Sequence, residues 1–136
     1  MVTMPEVHRV GGLIGAELHG LDLTRVYEDE TYEAVLRAWA EYGVIFLRDQ
    51  HLDAEQQDAF ASRLGEIRVR QELRKDPEQT KAIGEGWHTT RFHWAPGSIA
   101  MWDNRQTWHF AVNDYQGQRR VMHRILLAGS KPVPAA

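Results

Sequence analysis

Three histidines, His88, His93 and His109, fall within GEGWHTTRFHWAPGSIAMWDNRQTWHF, residues 84–110, and four tryptophans share the stretch. Imidazoles gathered in this way serve one of two purposes. They ligate a transition metal, or they are polar members of an aromatic-rich core. The chain has no cysteine, so thiolate sites and disulfides are excluded, and a metal would need imidazole and carboxylate ligands. Arg120 and Arg124 stand eleven and fifteen residues beyond His109. Two guanidinium groups on one strand segment suit a dicarboxylate, because each fork grips a carboxylate through two parallel hydrogen bonds.

Such residues need elements to hold them. The chain has 136 residues, 43% hydrophobic and 26% charged, which is the composition of one ordinary globular domain. The formal net charge of −3 gives no global reason to expect a nucleic-acid partner. No apolar run reaches the ~18 residues of a membrane span. The N-terminus lacks a basic region followed by an apolar one, so no signal peptide is expected and the cytoplasm is the expected location.

Residues 7–23 mix apolar pairs with four glycines and predict short strands and tight turns. Gly11-Gly12-Leu13-Ile14-Gly15 has a faint likeness to a phosphate loop but lacks the Lys-Ser/Thr that would follow. Tyr32, Val35, Leu36, Trp39 and Tyr42 share one helical face, with Glu28, Asp29 and Glu30 at the helix start and Gly43 at its end. Val44–Arg48 predicts a buried strand. A second helix follows, with Asp53 and Gln56 in capping-box spacing, Ala59, Phe60 and Leu64 on its buried face, and Gly65 at its end. Residues 66–85 are dense in charge. Arg68, Arg70, Arg74 and Lys75 there form either a solvated face or an anion contact. Strands are expected in Thr90–Trp94, in Ser98–Asp103 and in Arg120–Gly129, the first two parted by a Pro96-Gly97 turn. Helices come early and strands late, an α+β pattern.

The stretch WDNRQTWHFAVNDYQGQRRVMHR, Trp102–Arg124, resembles the C-terminal signature of the iron(II)/2-oxoglutarate dioxygenases of the taurine dioxygenase type. GLIGAELHGLDLT and YGVIFLRDQHLDAEQQDAFASRLGEI resemble the opening of that family, and EGWHTT resembles the start of its Trp-His-x-Asp metal motif. The resemblance covers roughly Val10–Ile67 and Gly84–Pro132. It implies a double-stranded β-helix, or jelly roll, preceded by N-terminal helices. It also implies Fe(II) as the metal, 2-oxoglutarate as cosubstrate, and hydroxylation of a small anionic substrate, a sulfonate such as taurine, with release of succinate and CO2. Carried over by position, His88 and His109 match metal ligands, Arg120 matches the cosubstrate clamp, and Arg124 matches a substrate contact. Arg70 stands where the family has a substrate-binding histidine.

One departure is larger. Thr90 stands where the family's carboxylate ligand is expected, and the text runs from there straight into the strand that precedes the distal histidine. A far longer stretch separates the two motifs in the family; here His88 and His109 are 21 residues apart. The expectation is one taurine-dioxygenase-like domain, residues 1–136, with an internal deletion near 89–91, so a truncated jelly roll. His93 and Asp103 are substitute ligands to consider, and an open chloride position beside Thr90 is a third variant.

Three functions follow. The chain is a working oxygenase. Or it is an internally deleted, inactive member that at most binds anions weakly or self-associates as a homo-oligomer, because lost strands leave sheet edges open. Or, setting the resemblance aside, it is a small α+β module whose late aromatics are its core, indifferent to iron(II) and 2-oxoglutarate.

Overall fold

The computed structural model describes residues 2–68, 90–107, 109, 117, 119 and 121–129. Its strands are β1 (Glu6–Arg9), β2 (Ala16–His19), β3 (Val44–Leu47), β4 (Ile67–Arg68), β5 (Ile99–Trp102) and β6 (Leu126–Leu127). Its helices are α1 (Asp29–Tyr42) and α2 (Ala54–Leu64). A mixed sheet runs β1-β2-β3-β5, and β4 pairs with β6. Among the described residues the sheet is open, not closed into a barrel.

β1 and β2 form an antiparallel hairpin, so the glycines at 11–15 turn a hairpin rather than lead from a strand into a helix. That removes the phosphate-loop likeness. β2 and β3 are parallel, and α1 is the crossover that parallel neighbours require. β3 is central and all four of its residues are buried, as its apolar run predicts. β5 pairs antiparallel with it, Val44 opposite Trp102 and Leu47 opposite Ile99.

Both helix ends follow the sequence signals. Asp29 and Glu30 occupy the first turn of α1, and Gly43 ends it with φ 75° and its N–H donated to the Trp39 carbonyl. A Cβ on Gly43 would also lie 2.8 Å from Thr107 Cγ2, so close packing and backbone conformation both select glycine there. Asp53 accepts from the Gln56 N–H at 2.7 Å while its own N–H donates to Gln56 Oε1 at 3.0 Å, closing the expected capping box.

The inward faces differ in detail from the periodicity. In α1, Thr31, Tyr32, Ala34, Val35 and Ala38 are buried, whereas Leu36 is exposed. Ala34 and Ala38 let the helix lie close to the sheet, and a broad apolar arc does not by itself say which edge faces in. In α2, Ala61 is buried and Ala59 exposed for the same reason. Ala16, Leu18, Val35, Ile45 and Leu47 centre the core, with Trp39, Phe60, Leu64 and Met101 packed around them.

The late strands are shorter than expected. Thr90–Trp94 forms no strand. Arg48 donates to the His93 carbonyl at 2.6 Å and to Ser98 Oγ at 2.7 Å, so a side chain rather than a ladder holds this segment. The Pro96-Gly97 turn is present, Ser98 N–H donating to Ala95 O at 3.0 Å. Val121–Ile125 is irregular too, and only Leu126–Leu127 pairs. Among the described residues no helix is long and apolar enough to cross a membrane.

Candidate functional site

Strand alternation gives the sheet two faces. Ile45, Leu47, Ile99 and Met101 belong to the helix-covered face. On the other face Phe46 stacks on Phe92 with centroids 4.1 Å apart and planes 5° from parallel. Trp102, paired with Val44, also belongs to this second face, and it is where the expected site residues gather.

His109 lies against the Trp102 indole, ring centroids 4.6 Å apart. The Arg124 guanidinium carbon stands 5.8 Å from the centroid of the same indole, at the outer reach of a cation–π contact. Trp102 is held in turn by its Nε1–H, which donates to Asn104 Oδ1 at 3.0 Å. Two of the positions singled out by the C-terminal resemblance therefore meet on one aromatic platform. His109 is exposed as a residue, yet the shielding of its ring from water, reinforced by the Arg124 charge, holds its pKa below 6.5. Both effects disfavour the imidazolium. The platform role of Trp102 was not anticipated; the sequence placed it only as a strand residue.

Asp103 is not available to a metal. Its Oδ1 accepts from the Arg105 backbone N–H and Nε at 2.9 Å each, and its Oδ2 accepts from Arg105 Nη2 at 2.9 Å and Gln106 Nε2 at 3.3 Å. Its carbonyl receives the Thr107 N–H and hydroxyl at 2.9 and 2.7 Å. The hydrogen bonds from Arg105 hold its carboxyl below the usual aspartate value. The carboxylate is thus the hub of a turn that follows β5.

Thr90 is equally committed. Its side chain packs on the hairpin turn, so close that a Cβ on Gly15 would lie 2.9 Å from Thr90 Cγ2 and 3.1 Å from Oγ1. His93 is exposed, its carbonyl accepting from Arg48. His88, Arg70 and Arg120 lie outside the described residues, as do Arg74 and Lys75.

Among the described residues no group of three or more histidines, aspartates or glutamates is placed to hold a metal ion. That finding corrects the expectation of an Fe(II) site with 2-oxoglutarate as cosubstrate, and with it the expectation of a working oxygenase acting on a sulfonate. The physical reason is visible at the described candidates Thr90, Asp103 and His109. Threonine replaces the carboxylate ligand, Asp103 is saturated by Arg105, and His109 rests on an indole beside a cation.

Comparison with known proteins supports kinship without filling this gap. A segment of 46 residues is 50% identical to the alpha-ketoglutarate-dependent sulfate ester dioxygenase of Pseudomonas putida, covering 34% of this chain and 15% of that protein. Over 42 residues it is 55% identical to an alkylsulfatase of Acinetobacter baylyi, covering 31% and 13%. A solved taurine dioxygenase from Burkholderia xenovorans is 37% identical over 48% of this chain and 23% of its own, with a TM-score of 0.46. The matched segments thus span a small fraction of these relatives. The model of the taurine catabolism dioxygenase TauD, TfdA family matches residues 6–85 and 81–126, most of the chain, and the chain belongs to that family.

Proposed function

We propose that this chain is an internally deleted, catalytically inactive member of the dioxygenase family that retains a weak anion contact at Arg124 and self-associates through the sheet edges left open. The observation that carries the reading is the fate of the carboxylates. The position of the family's acidic ligand holds Thr90, which is packed on the Gly15 turn, and the nearest substitute, Asp103, is held by Arg105. The family model matches in two parts that meet at residues 81–85, which supports a truncated jelly roll with an internal junction. The exposed Arg124 guanidinium and His109 both stand against Trp102, an arrangement suited to a small oxyanion. The names of the two curated relatives, which concern sulfate esters and alkyl sulfates, make inorganic sulfate and a short alkyl sulfate the probes to use.

The test combines turnover and binding. With iron(II), ascorbate, 2-oxoglutarate and an alkyl sulfate, no succinate above the iron-only blank is expected. Titration with sulfate, followed through the His109 ring resonances, should show weak saturable binding that Arg124→Gln weakens at least fivefold. Catalytic succinate formation would overturn the inactive reading. Sulfate binding indifferent to Arg124→Gln would overturn the anion contact.

A further inference from the structure

We infer that the outer edge of β1 docks the β1 of a second copy of this chain, the two strands running antiparallel about a two-fold axis at Val7. The inference rests on the self-association part of the proposed function and names its surface. β1 is an end strand. β2 pairs with one side of it, and among the described residues nothing pairs with the other.

The hairpin register says which backbone groups are free. Val10 N–H donates to Gly15 O at 3.1 Å, while Gly15 N–H donates to Tyr42 O at 3.0 Å, so the Val10 N–H faces β2. Peptide groups that face the partner strand alternate along an antiparallel ladder with groups that point outward. With Glu6 opposite His19 and His8 opposite Glu17, the peptide groups of Glu6 and His8 turn toward β2. Those of Val7 and Arg9 turn to the open edge.

A two-fold axis at Val7 uses these groups. Val7 exchanges N–H and C=O with its counterpart, and Arg9 donates to the carbonyl of the second copy's Pro5. Pro5, which has no N–H, ends the ladder. The side chains agree with the backbone. Val7 meets Val7, and Glu6, which holds its own His8 at 3.2 Å, also lies opposite the second copy's His8, so the four groups alternate in sign across the seam. Moving the axis to His8 would instead set His8 against His8 and Arg9 against Val7, losing both matches. Met4 and Val7 are exposed and, with Ala34, Ala38 and Tyr42, line a shallow groove of about 230 Å³ beside this edge, which the second copy would extend.

Sedimentation velocity on the full chain tests the edge. The wild type is expected to dimerise. His8→Glu sets carboxylates opposite each other and should weaken dimerisation about tenfold, the scale of two cross-strand pairs turned repulsive. The double variant Glu6→Lys with His8→Glu restores opposite charges in this register and should recover to within about threefold of wild type. Val7→Pro removes an N–H that turns to the open edge and bonds nothing among the described residues, and should leave a monomer with unchanged far-UV circular dichroism. A wild type that stays monomeric at its solubility limit sinks self-association altogether. A dimer indifferent to His8→Glu and Val7→Pro keeps self-association and overturns this edge.

Discussion

The two faces of the four-stranded sheet are covered by different kinds of structure. On one, Ala16, Leu18, Ile45 and Leu47 are almost wholly buried beneath side chains of α1 and α2. On the other, Phe46 is also buried, stacked under Phe92, which carries Arg48 4.2 Å above it and Trp94 edge-on at 4.9 Å. Regular elements cover the first face and an irregular segment the second. His109 and Arg124 meet at Trp102 on this second face, both exposed as residues. Among the described residues, His109 and Arg124 persist on the second face without a metal-holding cluster beside them. The first face is covered by two helices, whereas an irregular segment lies over the second.

The largest effects should therefore lie on the first face. Ile45 has no exposed surface, and Ile45→Ala should cost about 3–4 kcal/mol through lost transfer energy and the cavity left behind. Phe92→Ala on the second face removes a larger side chain yet should cost only about 1–2 kcal/mol, because the irregular segment above Phe46 can settle. Urea denaturation of both variants checks this. Equal costs would break the comparison by showing the second face to be packed as a core.

Next in size is the Asp103 turn. Asp103→Asn should destabilise by about 2 kcal/mol, since charge-assisted hydrogen bonds from Arg105 are lost from a largely covered carboxylate. The depressed pKa of Asp103 fixes the sign of the pH dependence. Its stabilisation is present above the unfolded aspartate value of 3.8 and is lost as pH falls through the lower folded value. The stability gap between wild type and Asp103→Asn should therefore narrow as the solution is acidified into that range. A gap independent of pH would assign Asp103 a packing role instead.

A smaller effect tests the contact between the hairpin and Thr90. Gly15 has φ +97° and no room for a Cβ beside Thr90, so Gly15→Ala should cost about 1–2 kcal/mol in backbone strain and crowding. Adding Thr90→Gly should return only the crowding part. Full recovery would mean that φ at Gly15 relaxes freely.

The first face was the legible one. Local signals stated α1, β3 and α2 almost to the residue, because caps, period and β-branched runs act within a few positions. The errors there, Leu36 and Ala59, come from the width of the apolar arc, whose inward edge is chosen by what it packs against. The second face was poorly legible. Thr90–Trp94 and Val121–Ile125 alternate like strands, but a strand needs a partner, and alternation does not say whether one is present. Asp103 beside Arg105 was visible in the sequence as two charges and not as a closed pair. The family resemblance read from the C-terminal motif was sound, but motif residues report descent, and a metal site requires that their side chains converge.

The smallest expected effect concerns the residues that converge most. His109 and Arg124 meet at Trp102, and the imidazole pKa is lowered first by shielding and then by the guanidinium charge. Arg124→Gln should therefore raise the His109 pKa without returning it to 6.5, since the shielding by Trp102 persists. Trp102→Leu should raise it further by opening that side of the ring. The stability sign follows. With the folded pKa depressed, the unfolded chain takes up its proton first as pH falls below 6.5, so His109 contributes a loss of stability that develops between 6.5 and the folded value. Arg124→Gln should shrink that loss. A two-dimensional NMR titration of the histidine rings measures the pKa directly. If Arg124→Gln leaves it unmoved, the two groups do not share an electrostatic environment in solution, and the second face then has no charged pair with which to hold an anion.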